Sequence, residues 1–296
     1  MKKPSNLLGS MVALVTPFAD GAVDYDALAR LIDFQIAGGT QGLVPCGTTG
    51  ESPTLNYEEH NKVIEFTVRR SAGRAVVIAG TGSNCTEEAL QLTRHAKEVG
   101  ADACLIVNPY YNKPTQQGMY EHVAAIAKIG LPIVLYNIPS RCGVELTAET
   151  IIRMYNEIEQ VAAVKEATGR IDVTSQLAAS CDVAILSGDD SLTLPICSAG
   201  GCGVISVLAN IVPAEIRKLC DAIASNDLAA ARRQHLRLFP LFKACFVETN
   251  PIPIKAAMAM AGMIRDELRL PMTPLAPQYR PAWAKMLKDF GVKVKY

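Results

Sequence analysis

The chain has 296 residues, 49% of them hydrophobic and 20% charged, and its 29 basic residues balance its 29 acidic ones to a formal net charge of +0. This length and composition predict a globular protein of one large domain or two ordinary ones. The balanced charge and the lack of a basic tract exclude the electrostatic pattern of a protein that binds nucleic acid or an anionic membrane. No stretch is long and apolar enough to span a membrane.

Cysteine and histidine usage argues against disulfides and against a metal. The nine cysteines are an odd number without a Cys-x-x-Cys pair, and most lie in apolar segments, which is typical of reduced thiols in a cytoplasmic protein. None of the four histidines stands at metal-ligand spacing from another ligand. We therefore expect a cytoplasmic protein without a bound metal.

Short apolar runs rich in β-forming residues alternate along the chain with longer segments of helical periodicity. Successive runs are roughly 30 residues apart, as expected for repeated units of strand, crossover and helix. One helix is clearly delimited, because Thr86 and the acidic residues after it open a segment that ends at Val99, before Gly100. The apolar runs are Met11–Phe18, Gly42–Gly47, Ala75–Thr81, Ala103–Pro109, Ile133–Pro139, Val161–Ala167, Val183–Gly188 and Gly203–Ala209.

Eight such units in succession predict a parallel (β/α)8 TIM barrel of the α/β class. An open, doubly wound sheet is the alternative, but it would be expected to carry a glycine-rich phosphate loop after an early strand, and neither usual pattern occurs there. From residue 226 onward the sequence has no strand signal and no flexible linker. We therefore predict a barrel carrying the active site over residues 1–225 and a C-terminal helical region, packed on the barrel, over residues 226–296.

Lys165 is the most informative single residue, because it interrupts the apolar run Val161–Ala167. A lysine amine buried in an apolar site loses hydration, its pKa falls, and the neutral nucleophile becomes accessible near neutral pH. The alternative is a lysine at a strand end that reaches solvent or pairs with Glu166. In a parallel barrel, catalytic groups cluster at the carboxyl ends of the strands, which favours a chemical role.

Other polar residues follow the predicted strands. The glycines and hydroxyls of Gly47–Ser52 could hold a small carboxylate, or could form an ordinary turn with a helix cap. Tyr110 and Tyr111 could relay protons or only pack a loop. Arg141 could form a surface ion pair, although at a barrel mouth it suits bidentate capture of a carboxylate.

Several of these motifs together resemble the family of pyruvate-dependent class I aldolases that includes N-acetylneuraminate lyase, and the resemblance extends over nearly the whole chain. The motifs that carry it are Gly47-Thr48-Thr49-Gly50-Glu51, Tyr136-Asn137-Ile138-Pro139 and the strand lysine Lys165.

Within this family, three further motifs resemble the members that condense pyruvate with L-aspartate 4-semialdehyde to 4-hydroxy-tetrahydrodipicolinate, on the route to diaminopimelate and lysine. The sugar-acid lyases lack the arginine among them. The motifs are Ser140-Arg141, Tyr110-Tyr111 and Asn250-Pro251-Ile252-Pro253.

The resemblance implies that Lys165 forms an imine with pyruvate, which becomes an enamine and adds to the aldehyde. It implies a proton relay of Tyr136, Thr48 and Tyr111, and it implies no cofactor, because the imine itself is the electron sink. The proton relay is chemically reasonable, since each step moves a proton and water would quench the enamine.

The resemblance also implies which residues bind the two substrates. Thr49 and backbone groups near Gly188 and Ile205 would hold pyruvate. Arg141 would receive the carboxylate of the aldehyde.

In the family, Tyr111 reaches into a neighbouring subunit, so the resemblance implies a homotetramer built as a dimer of dimers. Regulated members bind L-lysine as an inhibitor in the same region. Two residues here depart from a regulated enzyme, since Tyr57 replaces a common histidine and Pro53 an alanine. The residues that match the lysine site are Ser52, His60, Asn84, Glu88 and Tyr110.

Two other functions remain open at this point. The nearer is a sister aldolase or lyase that acts on a keto-sugar acid or another 2-keto acid, which would differ in whether Arg141 contacts a second carboxylate. The farther is a catalytically inactive sensor that binds pyruvate or lysine. A buried nucleophile with a proton relay argues against the sensor.

Overall fold

In the computed structural model, residues 6–295 are described, and eight parallel strands close into a barrel. Each predicted apolar run overlaps one strand, so the predicted (β/α)8 fold is confirmed. The strands are β1 (Gly9–Ala13), β2 (Gly42–Val44), β3 (Val76–Gly80), β4 (Ala103–Val107), β5 (Ile133–Asn137), β6 (Val161–Glu166), β7 (Ala184–Ser187) and β8 (Gly203–Ser206).

The first predicted run was too long at its carboxyl end. Strand β1 ends at Ala13, and residues Phe18–Ala19 pair instead with Ala22–Val23 in a small antiparallel hairpin. Thr16-Pro17 separates the two elements, and because Pro17 has no backbone N–H to donate to the sheet, strand β1 does not continue through it.

Strand order around the barrel follows the chain, and β8 closes on β1 with Met11 opposite Ile205. The strands are buried on both faces, which explains their nearly continuous apolar sequences. Inward-facing side chains from successive strands fill the interior as a packed core. Its members include Met11, Val44, Ile78, Leu105, Val134, Tyr136, Leu186 and Ile205.

Helices surround the barrel and bury their apolar faces against its outer surface. The predicted helix from Thr86 is confirmed, with Val99 as its C-cap and Gly100 just after it in a left-handed conformation. The helices are α1 (Tyr25–Ala37), α2 (Tyr57–Ser71), α3 (Thr86–Glu98), α4 (Gln116–Ala127), α5 (Pro139–Cys142), α6 (Ala148–Glu157), α7 (Ile171–Ser180), α8 (Thr193–Ser198), α9 (Pro213–Ala224), α10 (Leu228–Ala244), α11 (Ile252–Met260) and α12 (Arg280–Phe290).

Helices α10, α11 and α12 form the carboxyl-terminal part of the structure. Leu238 and Phe242 on α10 belong to the same buried cluster as the barrel helices. Trp283 on α12 is buried and donates from Nε1 to the carbonyl of Pro253 on α11, 2.8 Å away. The helices therefore pack into the common core, while the division of the chain at residue 225 into two regions stays a prediction.

Within residues 6–295, no helix has the length and apolar character that crossing a membrane requires. The same residues contain no cluster of His, Cys, Asp and Glu side chains suited to a metal ion. All nine cysteines have free thiols.

Candidate active site

Lys165 lies in strand β6 with its side chain among the packed residues of the barrel, and it is 6% exposed. Burial lowers the pKa of Lys165 to about 7; Asp190 opposes this by favouring the ammonium, and the Arg141 guanidinium adds to the lowering. A pKa near neutrality leaves a substantial fraction of the amine uncharged at pH 7. Lys165 can therefore act as a nucleophile without a separate base to activate it.

Tyr136 is the direct neighbour of Lys165 across the sheet. The two residues are register partners of β5 and β6, and Lys165 Nζ lies 4.1 Å from the centre of the Tyr136 ring. Burial raises the pKa of Tyr136 to about 12, against the influence of Arg141 and of a hydrogen bond from the Thr48 hydroxyl. The phenol is therefore protonated at neutral pH and can donate a proton beside the amine.

Thr48 reaches Tyr136 because of the turn that follows strand β2. Residues Thr48–Gly50 form a single 3-10 turn, in which Gly50 N–H donates to the Gly47 carbonyl at 3.0 Å. A side chain on Gly50 would lie 3.1 Å from the Leu14 carbonyl, so the turn sits close against the chain after β1. Gly50 thus lets the backbone pack tightly while Thr48 meets the phenol.

Asn250 connects Thr49 with Arg141. Asn250 Nδ2 donates to Thr49 Oγ1 at 2.9 Å, and Arg141 Nη2 donates to the Asn250 carbonyl at 3.1 Å. Asn250 Oδ1 is buried and has no partner in the described chain. Arg141, on α5, is exposed at the mouth, so the rest of its planar fork is available to a bidentate ligand such as a carboxylate.

Gly188 and Ile205 are the two residues whose backbone groups are predicted to hold pyruvate. The Gly188 N–H already donates to the Glu166 carbonyl at 2.7 Å, so the group that Gly188 can offer a substrate is its own carbonyl. A side chain at Gly188 would come within 3.2 Å of Lys165 Cε, which explains the glycine there. Ile205 is buried in β8.

A cavity of about 650 Å³ opens beside this group of residues, and Thr48, Tyr136 and Arg141 line it. Lys165 lies just beyond the lining, next to Tyr136. The cavity is large enough for a small organic substrate, and it is lined by both apolar and polar side chains. The arrangement suits chemistry of a neutral amine on a carbonyl compound that carries a carboxylate.

Comparisons with known proteins agree with this chemistry. Residues 6–290 match the Dihydrodipicolinate synthetase family. The chain belongs to this family. A protein of Aquifex aeolicus named 4-hydroxy-tetrahydrodipicolinate synthase is 50% identical over 290 residues, which are 97% of this chain and 99% of that one.

Solved structures of family members have the same fold. The crystal structure of dihydrodipicolinate synthase from Aquifex aeolicus is similar with a TM-score of 0.97 at 50% identity, covering 98% of this chain and 100% of that chain. The structure of the enzyme from Cyanidioschyzon merolae with lysine bound is similar with a TM-score of 0.94 at 38% identity, covering 97% and 99% of the two chains.

Tyr111 does not join the other predicted relay residues within this chain. Its side chain is 90% exposed, and its φ of +73° is unusual for a residue other than glycine. Tyr110, beside it, lines the cavity. The predicted action of Tyr111 in a neighbouring subunit of this family member stays a prediction.

Four of the five residues predicted for a lysine site line the same cavity, and the fifth, Asn84, is hydrogen-bonded to one of them. Asn84 Nδ2 donates to the Tyr110 carbonyl at 3.1 Å. Burial lowers the pKa of His60 to about 4, so its imidazole is neutral. The lining includes Ser52, His60, Glu88 and Tyr110, together with Pro53 and Tyr57.

Glu88 is the acidic group of this region, and Tyr57 is one of its partners. Ser83 Oγ donates to Glu88 Oε2 at 2.6 Å. The hydrogen bonds from Ser83 and Tyr57 hold the pKa of Glu88 below its ordinary value. In this family member the departure at Tyr57 thus supplies a donor to the carboxylate that a bound ammonium would use.

Sequence reasoning assigned no role to Asp190. Its carboxylate is 1% exposed and accepts hydrogen bonds from the Ser206 hydroxyl and from Val207 N–H at 2.8 Å. Burial nevertheless raises the pKa of Asp190 to about 6. Asp190 favours the charged form of Lys165. The sequence feature that could have indicated Asp190 is the pair of acidic residues shortly after a buried strand.

Proposed function

We propose that the protein is a 4-hydroxy-tetrahydrodipicolinate synthase, which condenses pyruvate with L-aspartate 4-semialdehyde through a Schiff base. The observation that carries this proposal is a buried lysine, Lys165, with a pKa near 7 beside a protonated phenol, in a chain 50% identical to a synthase of that name. A binding protein has no use for a nucleophile of this kind.

The reaction begins when the neutral amine of Lys165 attacks the ketone carbon of pyruvate. Loss of water gives the imine, and loss of a proton from the methyl group gives the enamine. The enamine carbon bonds to the aldehyde carbon of the second substrate, whose oxygen becomes a hydroxyl. The amine of that substrate then attacks the imine carbon, closes the ring and expels the amine of Lys165.

Tyr136 and Thr48 move protons in these steps. The phenol is protonated at neutral pH, so it can donate to the departing water and recover the proton later. Thr49 binds the carboxylate of pyruvate, with the backbone near Gly188 and Ile205. Thr49 is itself oriented by the hydrogen bond from Asn250.

Arg141 receives the carboxylate of the aldehyde. Its guanidinium is exposed at the cavity mouth and is held from one side by the Asn250 carbonyl. The planar fork matches a carboxylate bidentately, which a sugar acid without a second carboxylate would not use.

The deciding experiment is reductive trapping. Borohydride added with pyruvate should label one lysine, and peptide mapping should place the adduct at Lys165. Labelling of another residue, or none, contradicts the mechanism. A coupled assay should then show turnover with aspartate 4-semialdehyde and not with aldehyde sugars.

We further propose that the active form is a homotetramer, a dimer of dimers in which Tyr111 completes the proton relay of a neighbouring subunit. The support is the exposure of Tyr111, whose phenol is accessible to another chain, together with its positive φ. Mixed tetramers of Tyr111→Phe and Lys165→Met subunits should regain activity that neither variant has. No recovery after subunit exchange would mean that Tyr111 acts elsewhere.

L-lysine is the proposed inhibitor, bound by Ser52, His60, Asn84, Glu88 and Tyr110. A relative from Cyanidioschyzon merolae has been solved with lysine bound. Here the ammonium must displace the Tyr57 phenol from Glu88, so we expect weaker inhibition than histidine at position 57 would allow.

A further inference from the structure

Lys255 and Glu51 form an ion pair whose two side chains are 0% and 1% exposed, with Nζ 2.6 Å from Oε1. Lys255 lies on α11, and Glu51 directly follows the turn Thr48–Gly50. Elsewhere in residues 6–295, ion pairs lie at partly or fully exposed positions, such as Arg269 with Glu59. A buried pair between a late helix and an active-site turn is therefore a special feature of this molecule.

The charged groups of Lys255 and Glu51 make further hydrogen bonds besides the one that joins them. Lys255 Nζ also donates to the Thr16 carbonyl at 3.0 Å and lies 4.3 Å from the centre of the Phe18 ring. The second oxygen of Glu51 accepts from Arg269 N–H at 3.1 Å. Two charges taken out of water persist only where such partners offset the lost hydration.

Glu51 also adopts a backbone conformation that glutamate does not favour. Its φ is +52° and its ψ is 38°, in the left-handed region. A residue other than glycine stays there only when its surroundings hold it. The Glu51 N–H donates to the Thr48 carbonyl at 3.1 Å, so the conformation of Glu51 is directly coupled to that of the turn.

A further hydrogen bond holds the same turn: the Gly50 carbonyl accepts from Thr16 Oγ1 at 2.7 Å. Lys255 thus contacts both Thr16, which holds the last residue of the turn, and Glu51, which directly follows the turn. Stability alone does not require such a pair, because apolar residues of similar size often replace buried ion pairs without loss. The geometry points to a requirement for directional contacts at this turn.

We propose that Lys255 is a positioning residue for the reaction. Its ion pair with Glu51 fixes the turn so that Thr48 meets Tyr136 and Thr49 faces the carboxylate of pyruvate. Lys255 touches no reacting atom and acts through Glu51. This inference rests on the proposed function, since it assigns the pair to the pyruvate half of that reaction.

The test is the double variant Glu51→Met/Lys255→Met, which removes both charges and leaves neither alone. The rate of imine formation with pyruvate, trapped by borohydride, should fall by roughly 10- to 100-fold, as for a misplaced catalytic group. The KM for pyruvate should rise while the KM for the aldehyde stays near that of the wild type, because Arg141 is held by Asn250. A merely structural role would not separate the two substrates.

Glu51→Gln gives a second measurement that does not depend on the double variant folding. It keeps the shape and one acceptor, so the fall in imine rate should be smaller, about a few-fold. Arg237→Met is the matched control, because it breaks a partly buried pair with Glu215 between α10 and α9. This control should lower the thermal midpoint and keep the imine rate of the wild type.

Wild-type imine rates in Glu51→Gln and in every folded form of the double variant would overturn the proposal. Equal loss with both substrates, or an equal loss of imine rate in Arg237→Met, would overturn it too. A wild-type protein that forms no borohydride adduct with pyruvate would instead overturn the proposed function.

Discussion

Two lysines are buried in the described chain, and they differ in the groups that surround their amines. Lys165 in β6 lies beside the ring of Tyr136, and burial lowers its pKa to about 7. Burial also lowers the pKa of Lys255 on α11, but the Glu51 carboxylate 2.6 Å away favours its charged form. Burial thus acts in the same direction on both amines, and what distinguishes Lys255 is the hydrogen-bonded carboxylate that opposes this effect.

The strongest test of this comparison is Lys165→Met. We expect activity to fall on the order of 10⁴-fold or more, because the covalent intermediate cannot form. Steady-state rates in the coupled assay measure this loss. Lys285→Met, at an exposed lysine, is the control and should keep full activity.

The same variant should change the pH dependence of stability. The unfolded chain keeps the Lys165 proton up to the ordinary pKa of 10.5, while the folded chain releases it near 7. The unfolded state therefore binds more protons between these values, and wild-type stability rises with pH there. Lys165→Met should be more stable than the wild type below pH 7, and the difference should shrink toward pH 10 in urea unfolding. A constant difference would mean that Lys165 is not neutral when folded.

Arg141 is an exposed cation of the same site, in contrast to the two buried lysines. Arg141→Ala should lower kcat/KM for the aldehyde by roughly 10- to 150-fold, the equivalent of about 1.5–3 kcal/mol for a charge-assisted hydrogen bond. Imine formation with pyruvate should change much less. Arg141→Lys keeps the charge without the fork and should recover little. Equal losses for both substrates would show that its role is assigned wrongly.

Glu88 extends the comparison to carboxylates, since its described partners are hydroxyls whereas Glu51 has a buried cation. Glu88→Ala should weaken lysine inhibition by about 1.5–3 kcal/mol, the cost of losing a charge-assisted partner. Uninhibited turnover should stay nearly the same. Glu87→Ala, on the same helix turn, is the matched control. If millimolar lysine fails to inhibit even the wild type, Tyr57 and Pro53 have disabled the site.

The barrel was predictable because its signal is local. Strands buried on both faces produce apolar runs at a regular spacing, and a lysine within such a run is visible without any structure. The helix of Thr86–Glu98 was also visible, because its ends carry their own signals.

The contacts that hold the site residues in place were not predictable in the same way. Lys255 interrupts an apolar segment, Ile252–Met260, as Lys165 interrupts its strand, so the two lysines look alike in the sequence. Only the fold brings Glu51 to Lys255, across 204 positions of the chain. The role of Asp190 was not predicted for a similar reason, because its partner Ser206 belongs to the next strand.

The contacts of residues 250–255 set an order of events during protein synthesis. The last barrel strand ends at Ser206, yet Thr49 and Glu51 gain their partners only when Asn250 and Lys255 have been made and packed. A nascent chain that stops before these residues should have a barrel without an ordered site. Pyruvate would then meet an ordered Thr48–Gly50 turn only in a chain whose helix α11 has been made and packed.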